Sequence, residues 1–327
     1  MSNMPFFSIV VATCNRPDLA FRAVSELLNQ DYKNKEIIVV NNGSSKECNQ
    51  QYNYLFKDVF SLIKYINVSD ITNVGLGPSV ARNIGISASQ GDYITFCDDD
   101  DLWSDQSYLS CISKYLRLNE TDVVFANQRA LDSNNHIQKN SWFDISDLVV
   151  NCVKFDTDDF YKVNAKTFYD NGIFPHLNIT IYNKKLIENY GGFDQNLSYE
   201  EDLEIFYRLS SHAKDIIFYN KVVSDHFIPN VDRRTNLTTS VNYKFKMLSR
   251  IFIANKILLN SNDQSLTTFS TRHGYYSLQS LSDFFFKEKD FKRSSLYLSQ
   301  SFGWGSKFKV VIKLIYNKLN TIFKGKS

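Results

Sequence analysis

Tyr93-Ile94-Thr95-Phe96-Cys97 is an apolar, β-branched and aromatic run that ends in four consecutive carboxylates, Asp98 to Asp101, followed by Leu102-Trp103. The run has the length of a buried strand. Adjacent acids at its end repel one another and resist burial unless a counter-charge is near. Hard divalent ions such as Mg2+ or Mn2+ take oxygen ligands and are commonly shared between one or two carboxylates and substrate phosphates. The same residues also read as a solvated acidic turn that caps the next helix, because Asp is a favoured N-cap. A second acidic run, Glu200-Glu201-Asp202 with Glu204, follows Gly191-Gly192-Phe193-Asp194 and opens a helical period through Ile205, Phe206 and Leu209. Acids at a helix N-terminus suit the macrodipole without further purpose, whereas a free carboxylate is what a general-base step requires. Of the histidines, His176 reads as a lone structural residue, and His226 sits in what reads as a loop, Lys221 to Asn230.

The elements that must position these acids are legible around them. Phe6 to Thr13 reads as a buried strand, Cys14 to Asp18 as the turn after it, and Pro17 onward to about Gln30 as an amphipathic helix with Pro at its start. Lys35 to Val40 is a second strand, ending at Asn41-Asn42-Gly43-Ser44-Ser45. Leu62 to Ile66 is a third, and it leads to Gly75-Leu76-Gly77-Pro78 and a helix that carries Arg82 and Asn83 on one turn and ends at Gly91. This β-α-β order implies a parallel sheet, with ligands at the carboxyl ends of its strands. Asp122 to Ala126 and Asp215 to Tyr219 add further strands, and Ile173 to Tyr182 returns to strand character. Between about Leu131 and Asn171 no period dominates. Its rings, among them Trp142, Phe143, Phe155, Phe160 and Phe168, read equally as sugar-stacking surfaces or as a small satellite core.

Four spaced segments in this order carry a resemblance. Ser-Ile-Val-Val-Ala-Thr-Cys-Asn-Arg from Ser8, Glu-Ile-Ile-Val-Val-Asn-Asn-Gly-Ser from Glu36, Ala81-Arg82-Asn83 with Gly85, and Asp98 to Asp101 together resemble the family 2 glycosyltransferases of the GT-A fold, over roughly residues 5–230. The resemblance implies an α/β fold, with a mostly parallel Rossmann-like sheet flanked by helices and a helical C-terminal extension. It implies an inverting transfer of sugar from a nucleotide-diphosphate sugar. Asp98-Asp99-Asp100 would hold a divalent metal, Mn2+ or Mg2+, against the diphosphate. Asp100 is then the direct ligand, Asp98 a contact to ribose or metal, and Asp101 a helix cap or a neighbour of the donor sugar. His226 would complete the metal site. Thr13, Asn15, Arg16, Asn42, Arg82, Asp98, Asp99, Arg233 and Arg234 would bind the donor, and Asp202 would be the catalytic base, with Glu201 orienting the acceptor. One departure bears on the donor: relatives end the second strand in a carboxylate that accepts the uracil imide N–H, whereas this chain has Asn41-Asn42. An Asn oxygen accepts that bond without the strength of a charge, so a UDP-sugar is the first expectation and a dTDP-sugar the second.

Of the 327 residues, the 240 before Val241 carry 22 Lys and Arg against 31 Asp and Glu, and Val241 to Ser327 carries 15 against 4. Such asymmetry points to a basic appendage that meets an anionic surface. The expected organisation is a GT-A domain over 1–240, with a nucleotide-sugar half to about 127 and an acceptor half beyond it, and a helical region over 241–327. Tyr243 to Leu259, Arg272 to Lys287 and Asp290 to Ser301 read as its helices. Lys307 to Lys326 has six lysines and no acid, interleaved with apolar residues, the pattern of a helix lying in a membrane interface. Packing on the catalytic domain or on a second subunit is the other use of such a tail. No groove-reading motif accompanies it, which argues against nucleic acid. The five cysteines lack metal or disulfide spacing and read as reduced thiols. No apolar stretch approaches a spanning helix, and the N-terminus lacks a secretory pattern. The expected place is the inner face of a bacterial plasma membrane, with a saccharide or lipid-linked saccharide as acceptor in O-antigen, capsule or lipooligosaccharide synthesis and with homo-oligomers open. Two rival classes share this sheet. Sugar-phosphate nucleotidyltransferases need a Gly-rich basic loop after the first strand, which Thr13 to Pro17 does not supply. A non-catalytic glycan-binding protein would have no use for Asp98, Asp100 and Asp202 together.

Overall fold

The computed structural model describes residues 4–69, 75–148, 153–154, 159–228 and 241–305. The chain divides into two compact units, Met1–Phe168 with Ile173–Thr235, and Tyr169–Gly172 with Asn236–Ser327. In the first, β1 (Phe7–Thr13), α1 (Pro17–Leu28), β2 (Lys35–Asn42), α2 (Lys46–Leu55), β3 (Lys64–Val68), α3 (Pro78–Ala88) and β4 (Tyr93–Asp98) follow the alternation read from the sequence. β5 (Leu102–Trp103), α4 (Tyr108–Leu116), β6 (Val123–Leu131), β7 (Ile137–Lys139), α5 (Ile145–Leu148), β8 (Val153–Lys154) and β9 (Phe160–Val163) come next. After α6 (Ala165–Asn171), β10 (Thr180–Asn183), α7 (Lys184–Tyr190), α8 (Glu201–Ser210) and β11 (Ile216–Phe227) complete the described part.

The strands form one mixed sheet in the order β3-β2-β1-β4-β10-β6-β11-β9-β8, with β5 on β11 and β7 on β6. β3, β2, β1 and β4 run parallel, β10 lies antiparallel between β4 and β6, and β11 is parallel to β6. The strand order reverses between β1 and β4, the crevice at which ligands bind in open α/β sheets. β1, β2 and β4 are buried on both faces, which is why they read as unbroken apolar runs rather than as alternation. Gly85 of α3 lets the helix lie on β1, where an added Cβ would meet Val10 Cγ1 at 2.2 Å.

Three readings need correction. Lys221 to Phe227 is not a loop, because β11 runs through to Phe227, so His226 stands at a strand end. Strand character in Ile173 to Tyr182 is confined to β10, preceded by a 3-10 turn at Leu177–Ile179. α3 stops at Ala88, ahead of Gly91, whose missing side chain instead makes room for the β1 backbone: a Cβ there would lie 2.6 Å from Ser8 N. Of the two readings of the aperiodic segment's rings, packing is the one that Phe143, Phe160 and Phe168 follow: all three are buried, and Phe125 meets both Phe143 and Phe168 edge-on, while Trp142 is half-buried. Phe155 lies outside the described residues.

The second unit contains α9 (Tyr243–Asn260), α10 (Gln264–Lys287) and α11 (Phe291–Ser301). α10 begins ahead of the expected Arg272, since Asp263 caps it by accepting from Leu266 N–H. Met247, Leu281 and Phe285 form one small core and Tyr275 with Leu298 another. Gly274 admits the Trp304 ring, which a Cβ would meet at 2.3 Å. Among the described residues no helix is long and apolar enough to cross a membrane. Lys307 to Lys326 lies outside them.

Candidate active site

The loops after β1, β2 and β4 meet at one edge of the sheet. Thr13, the last residue of β1, donates to Asp99 Oδ2 at 2.7 Å and lies 2.7 Å from the Tyr52 hydroxyl. Asn15 takes a left-handed φ of 56°, and its side-chain oxygen accepts from Ser45 N–H at 2.7 Å. This ties the loop after β1 to the loop after β2. Arg16 Nη1 bridges Asp99 at 2.9 Å and Asp100 at 3.0 Å. Asn42 donates to Gly77 O at 2.9 Å and accepts from Leu76 N–H at 3.3 Å, so it anchors the Gly-x-Gly segment. Gly75 there has φ +79°, and a Cβ would strike Asn42 O at 2.4 Å.

Arg82 reaches from α3 in two directions. Nη2 donates to Asp98 Oδ1 and Nη1 to Glu201 Oε1, both at 2.8 Å. One buried guanidinium thus joins the acidic end of β4 to the acidic start of α8. Asn83, one residue on, donates to Phe193 O and accepts from Phe193 N–H, both at 2.8 Å. Ser79 donates to Leu197 O. These contacts fix the Gly191-Gly192-Phe193 segment against α3.

The four aspartates are electrostatically unlike. Burial opposes ionisation of Asp98, but the Arg82 guanidinium outweighs it and holds the carboxyl below its usual range. Burial pushes Asp99 up to about 7 against Arg16, with the Asp100 charge adding to the rise. Asp100 is also raised, by burial and then by Asp98. Asp101 does not cap the following helix, since Ser107 occupies that position in α4. It is fully buried and raised by burial in spite of His226. Its Oδ2 accepts from Asn178 Nδ2 and from His226 Nδ1, the latter at 2.8 Å, and its Oδ1 from Phe227 N–H at 2.9 Å. Asn178 also accepts from Asp98 N–H at 2.7 Å.

Beside Asp101 stand two imidazoles 4.6 Å apart, His176 and His226, with the Trp142 ring 5.8 Å from His226 and edge-on to it. One possible ligand atom from each of Asp101, His176 and His226 lies within 4.8 Å of the others. Burial opposes protonation of His226, but its Asp101 hydrogen bond raises it above the usual value. Burial lowers His176, and the neighbouring His226 lowers it further. His176 Nδ1 is buried with no hydrogen-bond partner. With Nδ1–H of His226 donated to Asp101, Nε2 is left to accept, the arrangement in which a carboxylate orients a metal-binding histidine. Carboxylate oxygens beside imidazole nitrogens, with three aspartyl carboxyls raised by crowding and burial, fit a divalent metal ion.

Asp202 lies in the first turn of α8, after Glu200 in a left-handed conformation at φ 58°. It is partly exposed and accepts from Leu203 N–H at 2.8 Å. Burial, and then the Glu201 charge, push it up to about 7. Arg233 and Arg234 lie outside the described residues. The sequence reading gave Asp101 and His176 other roles, and it passed over Asn178, Tyr52 and the pairing of Glu201 with Arg82. Only Asn178 carried a signal, as a polar residue inside an apolar run.

Solved structures with the same fold include Staphylococcus aureus TarS 1-349 in complex with UDP-GlcNAc, at TM-score 0.65 and 16% identity, covering 96% of this chain and 88% of that one. The mannosyltransferase PcManGT of Pyrobaculum calidifontis, in complex with GDP-Man and Mn2+, matches at TM-score 0.60 and 14% identity over 99% and 82% of the two chains. The architecture is therefore GT-A, with a helical C-terminal part. Among curated proteins, the GalNAc(5)-diNAcBac-PP-undecaprenol beta-1,3-glucosyltransferase of Campylobacter jejuni is 36% identical over 98 residues, 30% of this chain and 30% of that protein. The chain spans between 13% and 48% of the length of such relatives. Residues 8–191 match the model of glycosyl transferase family 2, and the chain belongs to that family.

Proposed function

We propose that this chain transfers a sugar from a nucleoside diphosphate sugar to a saccharide or lipid-linked saccharide acceptor in bacterial surface polysaccharide synthesis, by one inverting displacement. The observation that carries the reading is Arg82, which joins Asp98 and Glu201 at 2.8 Å each. Two carboxylate centres, the aspartate cluster and the acidic start of α8, thereby stand on either side of one cation. Asp100 and the Nε2 of His226 would hold a divalent ion, with Asp98 beside it and His176 close by, and the ion would neutralise charge developing on the departing diphosphate. Arg16 lies against Asp99 and Asp100, within reach of the same phosphates. Asp202, raised to about 7, is poised to accept the acceptor hydroxyl's proton near neutral pH. Glu201, held by Arg82, keeps Asp202 from ionising easily and fixes the turn that carries it.

The donor base is proposed to be uracil, with thymine second. The Asn42 oxygen already accepts from Leu76 N–H, which leaves one lone pair for an imide N–H. The TarS complex with UDP-GlcNAc and the undecaprenol-linked substrate in the Campylobacter relative's name support donor and acceptor class. A panel of UDP-, dTDP- and GDP-sugars, read by donor hydrolysis with Mn2+ and with EDTA, tests the reading. Metal-dependent hydrolysis of one UDP- or dTDP-sugar is expected. Hydrolysis of none, or a transfer product that keeps the donor's anomeric configuration, overturns it.

A further inference from the structure

α9 (Tyr243–Asn260) turns one face into the helical unit and leaves the opposite face apolar. Met247, Ser249, Ile253, Ala254 and Ile257 are buried. Phe245, Leu248, Phe252 and Leu259 are 42%, 45%, 45% and 84% exposed. Their spacing places all four within one narrow stripe of the helix, on the side away from the buried residues. The stripe extends about 21 Å at 1.5 Å per residue. Exposed apolar side chains scattered singly need no explanation, whereas four large ones aligned on one helix face mark a contact surface. The charge on the same helix says what kind. α9 carries Lys244, Lys246, Arg250 and Lys256 and no acid, with Lys244 and Lys256 on the two flanks of the stripe.

We infer that the exposed face of α9 is a docking surface for an anionic lipid bilayer, lying in the interface plane with Phe245, Leu248, Phe252 and Leu259 inserted. Apolar residues on one face and only cations beside them are what an anionic interface binds: the rings and leucines enter the acyl boundary while the lysine stems let their ammonium groups stay at the headgroups. A protein partner has no equal need for the absence of acids along the whole helix. The residues of this surface are other than Lys307 to Lys326, and the inference does not depend on the transfer reaction proposed above.

Full-length protein and a Phe245→Ser/Leu248→Ser/Phe252→Ser variant are sedimented with vesicles of phosphatidylcholine mixed with phosphatidylglycerol at low ionic strength. Each side chain is about half exposed already, so each loses roughly fivefold in partitioning and the triple variant about 100-fold. Phe252→Ser alone, expected to lose about fivefold, keeps the test open if the triple variant misfolds. Leu118→Ser, at a position 86% exposed in the first unit, is expected to bind as the native protein does. Donor hydrolysis measured without vesicles is expected to be unchanged in all three, which separates this test from that of the enzymatic reading. Native protein that ignores the vesicles, or a triple variant that still binds them, overturns the inference. So does sedimentation velocity showing a native dimer that the triple variant breaks, since the face then joins two copies. Cross-linking from position 252 into residues 306–327 of the same chain also overturns it.

Discussion

Replacing Arg82 by Met keeps the aliphatic stem and deletes the guanidinium. Arg82 is 8% exposed and has the Phe193 ring 5.3 Å away. Each of its two bonds to Asp98 and Glu201 is 2.8 Å long, and their side chains are only 25% and 12% exposed. Removing one partner of a buried pair costs about 3–5 kcal/mol, mostly because the other charge stays buried alone. The partial exposure of Asp98 puts the loss at the lower end, about 3 kcal/mol, or about 6–12 °C in the melting temperature for a domain of this size. The pH dependence has a definite sign. Asp98 is held below its ordinary value in the folded protein, so it contributes stability above its unfolded pKa, and that stability is lost as pH falls through the folded value. The variant lacks the contribution at pH 7.5 and has none to lose at low pH. Native and variant melting curves therefore converge only on acidification to below the ordinary Asp range. Melting followed by near-UV circular dichroism at pH 7.5 and at stepwise lower pH reads this out. A drop below about 2 °C at pH 7.5, or a drop equal at all pH values, refutes Arg82 as the counter-charge of both carboxylates. Arg82→Lys, one point charge without the fork, is expected to fall between the two.

Asp100→Ala is expected to abolish transfer and to weaken metal-dependent nucleotide binding, read by titration calorimetry with and without Mn2+; undiminished activity would remove the metal reading. Asp202→Asn keeps the shape but cannot accept a proton, so turnover should fall by about 10²–10⁴-fold with donor affinity little changed. Because Asp202 titrates near 7 and only its ionised form accepts a proton, native turnover should rise with pH through about 7. That acidic limb should be missing from the residual activity of Asp202→Asn, and a limb that persists assigns the titration to another group. Gly85→Ala puts a Cβ 2.2 Å from Val10 Cγ1, and the resulting overpacking should cost about 1–3 kcal/mol in urea denaturation. An unaltered midpoint would mean that α3 shifts off β1 freely.

How much of this was legible depended on burial. β1, β2 and β4 announced themselves because both faces are covered, and the polar residues at their carboxyl ends marked the binding edge without any tertiary knowledge. β11 did not. Asn220 and Lys221 interrupt its apolar period, and the register against β6 slips between Phe218 and Val222 and again between Val222 and Ser224, so its first half read as a short strand and its second half as a loop. His226 was singled out, but as a loop residue. Asp101 was misassigned because its partners, Asn178, His226 and Phe227 N–H, are brought to it by β10 and β11. His176 carried no local mark at all. Its place beside His226 comes from the sheet order, which puts β10 between β4 and β6.

The Ala-Arg-Asn-x-Gly segment shows the same limit from the other side. By resemblance Arg82 belongs with the donor, yet successive positions of α3 are spent on fixing neighbours. Ser79 holds Leu197 O, Arg82 spans Asp98 and Glu201, Asn83 closes two bonds on Phe193, and Gly85 admits Val10. Gly192 is required by the same clamp, since a Cβ there would meet Asn83 Oδ1 at 2.4 Å. The motif is therefore a joint between the end of β4 and the start of α8. It sets where Asp202 stands relative to Asp98, the separation on which the displacement proposed above would depend. Substitutions along α3 that spare every charged group, such as Asn83→Ala, should accordingly lower turnover more than they lower donor affinity.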